Sequence, residues 1–278
     1  MTIFVISILI GCLSVMTVQG RRGKWPPGMP VTRPRLVAVG GTYEGSQARQ
    51  SDGYVIQERL IATADGTAGQ ATGRGTGGGA GSGAGGGIGG GAGSELGHVA
   101  AALALAAVVA ARPQHGGTRE QDLDECAQAA HRAVRNAALR DPATPGLSST
   151  LDLIVLDPGE SPRLRFAHVG GGGIWHCPRG GRPVPLTTSH CFDDGPPLRA
   201  LGRATALNPE IGSVAVGPGD RVVVVTDGVL RALGAQRLTE LLAEGVSPAA
   251  CLDRLYDELA AVEPKEDATV VIADFVTV

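Results

Sequence analysis

The chain has 278 residues, of which 43% are hydrophobic and only 3% are aromatic. This length suits one large domain whose core is built mainly from Ala, Val and Leu. The formal net charge of -3 excludes an electrostatic basis for nucleic-acid binding. The five cysteines are scattered and odd in number, which argues against a disulfide framework and favours a reducing compartment.

The N-terminal segment, residues 1–34, differs in composition from the rest of the chain. Residues 2–18 are uncharged and mostly apolar, and three basic residues and a Pro-rich linker follow them. This run lies at the short limit for a membrane span, and a secretory signal would carry its positive charges before the apolar run. Three interpretations stay open: a membrane anchor with the main body in the cytoplasm, a signal peptide, and a disordered tail or misplaced start. The domain is expected to span residues 35–278.

The first half of this domain is predicted to contain strands followed by a low-complexity insertion. Leu36–Val39 is a strand candidate that a Gly-rich turn follows. Tyr54–Gln57 and Leu60–Ala64 are expected to pair antiparallel, because a short polar turn separates two apolar runs. Residues 70–94 consist mostly of Gly, Ala and Ser, have no phosphate-loop pattern, and are expected to form a flexible insertion.

Two helices are predicted next. Leu96–Ala111 is almost wholly apolar and is expected to be a buried core helix with Ser94 as its cap. Glu120–Leu139 is amphipathic, with charged residues on one face. Its apolar face is formed by Leu123, Ala127, Ala130, Val134 and Ala137.

The remaining elements are strands, then two helices, then a last strand. The strands are predicted at Ser149–Leu156, Leu164–Val169, Gly173–Cys177, Ser213–Val216 and Arg221–Thr226. The helices are predicted at Leu238–Ala243 and Pro248–Ala261, and the last strand at Val270–Phe275. Because strands and helices come in groups rather than in alternation, the order predicts an α+β fold with antiparallel sheets and helices outside them.

Carboxylates recur where the apolar runs end. Asp65-Gly66 follows one run, Asp227-Gly228 follows a second, and Glu266-Asp267 precedes the last. A lone Asp-Gly after a strand is an ordinary turn. Three such clusters could meet at one edge of a sheet sandwich, and carboxylate oxygens are the ligands that Mg²⁺ and Mn²⁺ prefer. The pattern therefore favours an acidic metal site.

Seven short motifs share an order and spacing that point to one family. They are Asp52, Asp65-Gly66-Thr67-Ala68-Gly69, Ser149-Thr150, Ala167-His168-Val169-Gly170, Leu186-Thr187-Thr188-Ser189-His190, Thr226-Asp227-Gly228 and Glu266-Asp267-Ala268-Thr269. Together they resemble the metal-dependent serine/threonine phosphatases of the protein phosphatase 2C type. The resemblance covers roughly residues 35–278 and implies a four-layer α-β-β-α sandwich of two antiparallel sheets flanked by helix pairs.

The resemblance also implies an activity and a set of site residues. Two Mn²⁺ or Mg²⁺ ions would activate a water that hydrolyses phosphoserine and phosphothreonine in phosphoprotein substrates. Asp65 would bridge both ions and the Gly66 carbonyl would help to bind one of them. Asp227 and Glu266 would complete the site of the other ion. Asp52 would lie beside the ion that Gly66 helps to bind. Asp65 and Asp227 are the catalytic candidates, and we expect a monomer.

Several residues depart from the family pattern. Gly171 and Arg231 replace two carboxylates of the family's third metal site, so that site is expected to be absent. Thr67 stands where some members have a proton-donating His, and Glu266 replaces the usual Asp. Arg49 is the candidate for the phosphate-binding Arg but is out of register. A phosphatase-like domain with weak or no activity, acting as a regulatory binding module, is therefore the alternative function.

A second metal constellation is also visible in the sequence. His176-Cys177 and His190-Cys191 repeat a His-Cys pair on either side of a Gly/Pro-rich turn. A hairpin could bring the pairs together as a zinc site. However, adjacent residues of a strand point to opposite faces, so at most one residue of each pair could face a shared ion.

Overall fold

The computed structural model describes most of the chain from residue 34 onward. The described residues are 34–46, 51–68, 92–111, 119–140, 146–157, 161–191, 198–203 and 206–277. Pro34–Thr277 forms one compact unit. The predictions for the N-terminal segment, and for nearly all of the glycine-rich insertion, fall outside the described residues. None of the helices within these ranges combines the length and the apolar character that crossing a bilayer requires.

The described residues form eleven strands and four helices. The strands are β1 (Pro34–Tyr43), β2 (Asp52–Ile56), β3 (Leu60–Thr67), β4 (Ser148–Ser149), β5 (Leu151–Asp157), β6 (Arg163–Val169), β7 (Gly173–Cys177), β8 (Val184–Pro185), β9 (Glu210–Ala215), β10 (Arg221–Val225) and β11 (Ala268–Thr277). The helices are α1 (Ala92–Ala111), α2 (Arg119–Arg140), α3 (Asp227–Leu242) and α4 (Pro248–Val262).

The strands form two antiparallel sheets. One sheet has the order β1-β11-β10-β7-β8, and the other has the order β2-β3-β5-β6-β9 with β4 paired to β3. The longest pairing joins the two ends of the domain, since β1 pairs with β11 along its whole length, from Pro34 opposite Thr277 to Tyr43 opposite Ala268. Every neighbouring pair in both sheets is antiparallel, as the element order predicted.

Three apolar layers define the architecture. Leu36, Ile154 and Val224, with their neighbours, fill the space between the two sheets. The second layer joins α1 and α2 to the β2-β3-β5-β6-β9 sheet, and the third joins α3 and α4 to the other sheet. The fold is therefore the predicted α+β four-layer sandwich of two antiparallel sheets between helix pairs.

Three glycines that were expected outside the strands lie within them. Gly40 and Gly41, expected in a turn, lie inside β1. The hydroxyl of Tyr256 on α4 occupies the place that a Cβ on Gly41 would need. The strand predicted at Leu60–Ala64 is also longer than expected, because β3 continues through Asp65-Gly66 to Thr67. There, a Cβ on Gly66 would overlap the carbonyl oxygen of Gly97 on α1, so the glycine allows the helix to approach the strand.

The helices differ from prediction in three ways. Helix α1 is not wholly buried, since His98 and Val99 are exposed on the face away from the sheet. The helix begins at Ala92, so Ser94 lies inside it rather than at its cap. Helix α3 begins at Asp227 rather than at Leu238, and it is interrupted at Gly234, where φ is 74°. The two glycines in its first half weaken the helical pattern in the sequence.

Replacing Gly66 by Ala should destabilise the domain by about 2 kcal/mol or more, because the added methyl group must separate β3 from α1. Urea unfolding monitored by circular dichroism measures this change. Gly217→Ala is the matched control, since a Cβ there has no atom within 4 Å and should change stability by less than about 0.5 kcal/mol. Equal midpoints for the two variants would contradict the close approach.

Candidate functional site

Three of the predicted carboxylates meet at one end of the sandwich. Asp52 opens β2 and lies directly opposite Asp65 of β3, so the strand register places the two side by side. Asp227 is the first residue of α3, immediately after β10 of the other sheet. The Asp65 carboxyl is within hydrogen-bonding contact of both Asp52 and Asp227. The site therefore joins the two sheets at their shared edge.

Burial of these like charges changes their ionisation. Burial, followed by the charges of Asp52 and Asp227, raises the pKa of the Asp65 carboxyl well above its usual range. Burial raises the pKa of Asp52 to about 7, although hydrogen bonds with Thr269 and Thr226 favour its ionised form. In the absence of a cation, the cluster therefore tends to retain protons.

Three threonines hold the carboxylates in place. The Thr226 hydroxyl donates to Asp52 Oδ2 at 2.7 Å and accepts from the Thr269 amide at 2.9 Å, which links β2 to β10 and β11. The Thr150 hydroxyl accepts from the Asp65 amide at 2.9 Å. The role of Thr226 and Thr269 was not predicted. The signal in the sequence was a threonine directly before Asp227 and another two residues after Asp267.

Asp267 is a second residue that the sequence interpretation did not assign. Its buried carboxylate accepts from the Gly45 amide at 3.1 Å and the Ser51 amide at 2.8 Å. Ser51 precedes Asp52 and donates through its hydroxyl to Asp65 Oδ1 at 3.2 Å. Asp267 thus fastens the chain on both sides of residues 47–50 and fixes the entry into β2.

Glu266 lies at the margin of the cluster and is paired with an arginine. Its side chain is 57% exposed and forms an ion pair with Arg231. Arg231 also contacts Asp227, with Nη2 at 3.0 Å from Oδ2, one helical turn along α3. Burial lowers the pKa of the guanidinium, but the charges of Asp227 and Glu266 outweigh that effect and raise it. A permanent cation therefore connects two of the predicted metal ligands.

Gly171, which replaces a carboxylate of the family pattern, lies against two side chains. A Cβ on Gly171 would lie 2.8 Å from Cys191 Sγ and 3.0 Å from Asp227 Oδ2. A larger side chain at this position therefore requires Cys191 to move.

The remaining predicted residues have different placements. The Thr67 hydroxyl is hydrogen-bonded to the Ser148 hydroxyl at 2.8 Å. Gly66 lies between Asp65 and Thr67 in β3 and pairs with Ser149. Arg49, the phosphate-binding candidate, lies outside the described residues.

A histidine cluster lies behind this edge but is not arranged for metal binding. Ligand atoms of His168, His190 and Glu210 lie within 4.8 Å of one another. However, His168 Nδ1 is 2.6 Å from Asp152 Oδ1 and Nε2 is 3.1 Å from the Thr188 carbonyl oxygen. Both partners are acceptors, so both ring nitrogens carry protons and neither offers a lone pair.

His190 is likewise not arranged for metal binding. His190 Nδ1 accepts from the Gly170 amide at 3.2 Å, so the lone pair of this nitrogen is already engaged. Burial, and then the neighbouring charges of His168 and Arg199, lower the pKa of His190 to about 4. The cluster is therefore a hydrogen-bonded support beneath the loop 170–172. His176 pairs instead with Asp220, and within the described residues the two His-Cys pairs do not form a common zinc site.

The raised pKa of Asp52 predicts a specific pH dependence for the metal-free protein. Its pKa of about 7 in the folded state exceeds the usual 3.8, so the folded state binds more protons than the unfolded state between these values. Stability should therefore fall as pH rises from about 4 to about 7, and Asp65 adds a slope of the same sign. In Asp52→Asn, the decrease in the free energy of unfolding between pH 4 and pH 7 should be smaller than in the wild type by roughly 2–4 kcal/mol.

Urea unfolding in EDTA at pH 5 and pH 8 measures this dependence for the wild type and Asp52→Asn. Asp257→Asn, on the exposed face of α4, is the control and should retain the wild-type slope. The same slope in the wild type and in Asp52→Asn would show that Asp52 is ionised throughout.

Solved structures share this fold. The serine/threonine phosphatase PstP/Ppp of Mycobacterium tuberculosis is 21% identical, with a TM-score of 0.70 over 86% of this chain and 98% of that chain. The catalytic domain of PstP has also been solved in complex with 2 manganese ions, with a TM-score of 0.70 over 87% of this chain and 99% of that chain at 21% identity. The phosphatase MsPP of Mycobacterium smegmatis, in complex with cacodylate, has a TM-score of 0.63 at 22% identity, over 86% and 97% of the two chains.

The sequence itself matches one family model over more than half of its length. Among curated proteins none matches significantly. The model that matches residues 87–276 is SpoIIE, stage II sporulation protein E. The matched region runs from the glycine-rich insertion to the end of β11 and includes Asp227 and Glu266. The chain belongs to the SpoIIE family, within the protein phosphatase 2C (PPM) group.

Proposed function

We propose that this chain is a metal-dependent phosphatase that hydrolyses phosphoserine and phosphothreonine in proteins. The observation that carries the proposal is the convergence of Asp52, Asp65 and Asp227 at the edge of the sandwich. Two buried carboxylates, Asp52 and Asp227, on either side of the partly buried Asp65 are unfavourable unless protons or cations compensate their charge. The fold shared with serine/threonine phosphatases supports the same interpretation.

The donor set fits two divalent ions with oxygen ligands, Mn²⁺ or Mg²⁺. Asp65 would contact both ions, since it lies between Asp52 and Asp227. The Gly66 carbonyl and Asp52 would hold one ion, and Asp227 and Glu266 the other. When bound, two such ions supply Lewis acidity toward a phosphoryl group and make a coordinated water more acidic.

The protein's own contribution is to hold the ligands rigidly before any ion arrives. Thr226 and Thr150 fix Asp52 and Asp65 through hydrogen bonds of 2.7–2.9 Å. Asp227 is fixed as the first residue of α3, and Asp267 fixes the chain that leads into Asp52. Such preorganisation reduces the reorganisation that the transition state would otherwise require. No protein nucleophile is needed in this scheme, because a water molecule would serve as the nucleophile.

A regulatory binding module with weak or no activity is the second candidate. Arg231 is paired with Asp227 and Glu266, and both would otherwise be free to bind an ion. Thr67 is hydrogen-bonded to Ser148 and is not a strong acid, so it cannot replace a proton-donating His. These two features favour a slow enzyme or a binding protein over a fast enzyme.

Asp65→Asn should reduce manganese-dependent phosphatase activity by at least about a thousandfold, because Asp65 is the residue placed to contact both ions. The measurement is release of phosphate from a phosphothreonine peptide and from p-nitrophenyl phosphate by the full chain, with and without Mn²⁺. Circular dichroism checks that the variant is folded. Asp257→Asn on the exposed face of α4 should retain wild-type activity.

Two outcomes would redirect the assignment. Activity of Asp65→Asn within twofold of the wild type would remove Asp65 from the catalytic site. Inactivity of the wild type with every phosphopeptide tested, combined with clear manganese binding, would favour the regulatory binding module.

The N-terminal anchor and the cytoplasmic position of the domain belong to the same proposal. If residues 2–18 span a membrane, the full chain should sediment with membranes and resist carbonate extraction. A variant that begins at residue 35 should remain in the supernatant. Recovery of the full chain in the supernatant would refute the anchor and leave the phosphatase assignment unaffected.

A further inference from the structure

Arg231 places a positive charge between two carboxylates of the proposed metal centre. It lies one helical turn after Asp227 in α3, and its two terminal nitrogens contact different carboxylates. Nη2 is 3.0 Å from Asp227 Oδ2, and Nη1 is paired with Glu266. Asp227 is buried and the Glu266 side chain is 57% exposed, so water screens the Glu266 pair more than the Asp227 pair. Arg231 thereby connects the start of α3 to the segment just before β11.

The same two carboxylates are those that the proposed function assigns to one of the two ions. A guanidinium stays charged at any physiological pH, so it cannot leave by losing its proton. A divalent ion that takes both carboxylates must therefore break the two ion pairs or share their oxygens with the guanidinium. Asp52 and Asp65 have no such competitor among the ion pairs of the described residues.

We propose that Arg231 acts as a built-in counter-ion that competes with one divalent ion at Asp227 and Glu266 and makes the two ion sites unequal in affinity. The inference rests on the proposed metal centre and describes how its loading is controlled. The site at Asp52 and Asp65 fills first. The site at Asp227 and Glu266 fills only when the ion concentration suffices to displace Arg231, so activity is graded by divalent-ion supply.

Displacement of the guanidinium has a second consequence. Once it leaves Glu266, the arginine remains attached to α3 one turn from Asp227, beside the metal centre. Arg binds phosphate oxygens in a fixed bidentate geometry. Substrate phosphate would then help to hold Arg231 away from the carboxylates. A phosphate analogue should therefore tighten binding of the second ion in the wild type and do so less when Arg231 is absent.

The test is titration of the full chain with MnCl₂ by isothermal calorimetry, with free Mn²⁺ counted by electron paramagnetic resonance. The wild type should bind one equivalent tightly and a second at least about tenfold more weakly. Arg231→Met keeps the length of the side chain and removes its charge. This variant should bind the second equivalent about tenfold more tightly than the wild type.

Arg237→Met is the matched control. Arg237 lies on the same helix and pairs with Glu240 and Glu258 on its exposed side, away from the carboxylate cluster. Its replacement changes the net charge by the same amount and should leave both manganese affinities unchanged. If Arg237→Met tightened the second ion as much as Arg231→Met did, the effect would be one of overall charge and the inference would fail.

The outcomes separate this inference from the proposed function. Two equal manganese sites in the wild type, or an unchanged second site in Arg231→Met, would overturn the counter-ion role and leave the metal centre standing. Absence of manganese binding from all three proteins would overturn the metal centre itself. Thermal unfolding gives an independent readout: Arg231→Met should be less stable than wild type in EDTA and should gain more stability from Mn²⁺.

Discussion

The enforced contact of like charges at the sandwich edge is the constraint on which the rest of the structure depends. Asp52 and Asp65 are brought together by the register of β2 and β3, and a shift by one residue would turn both side chains to the opposite face. Asp227 arrives from the other sheet at the start of α3. The site can therefore exist only if the two sheets pack in one relative position, which the apolar layer between them secures.

Burial at this edge increases the affinity of the carboxylates for divalent ions. It also destabilises the folded protein when no cation is bound. An exposed cluster would be screened by water and would bind divalent ions weakly. A buried cluster without cations must retain protons, as the raised pKa values of Asp52 and Asp65 indicate. The threonine hydroxyls and the tether through Asp267 offset part of this cost by hydrogen bonding. Folding and metal affinity are thus two aspects of one electrostatic balance.

Much of the fold could be predicted from local patterns. The apolar runs on either side of Glu58-Arg59 indicated the β2-β3 hairpin, and the spacing of Leu123, Ala127 and Val134 indicated α2. The recurrence of carboxylates at strand ends suggested that Asp65 and Asp227 meet, but only the family resemblance assigned them to one site, because the two lie far apart in sequence and in different sheets. Periodicity identifies elements, but it does not determine which strand ends meet.

The role of Arg231 could not be predicted, for an identifiable reason. Gly228 and Gly234 weaken the helical pattern after β10, so the helix was expected to begin only at Leu238. Without a helix at residues 227–233, the four-residue spacing between Asp227 and Arg231 carries no information about contact. Asp267 was missed for a related reason, since its partners are backbone amides and leave no trace in side-chain patterns.

The departures from the family pattern at Gly171 and Arg231 both disfavour a third metal ion. The resemblance places a carboxylate at each position, where both would serve a third ion. Here a side chain at Gly171 would displace Cys191 and approach Asp227, and Arg231 supplies a cation directly. The four acids and one arginine of this cluster carry a net charge of minus three when ionised. Two divalent ions would convert this to a slight positive excess, which favours a phosphate dianion, whereas a third ion would lack ligands and meet repulsion.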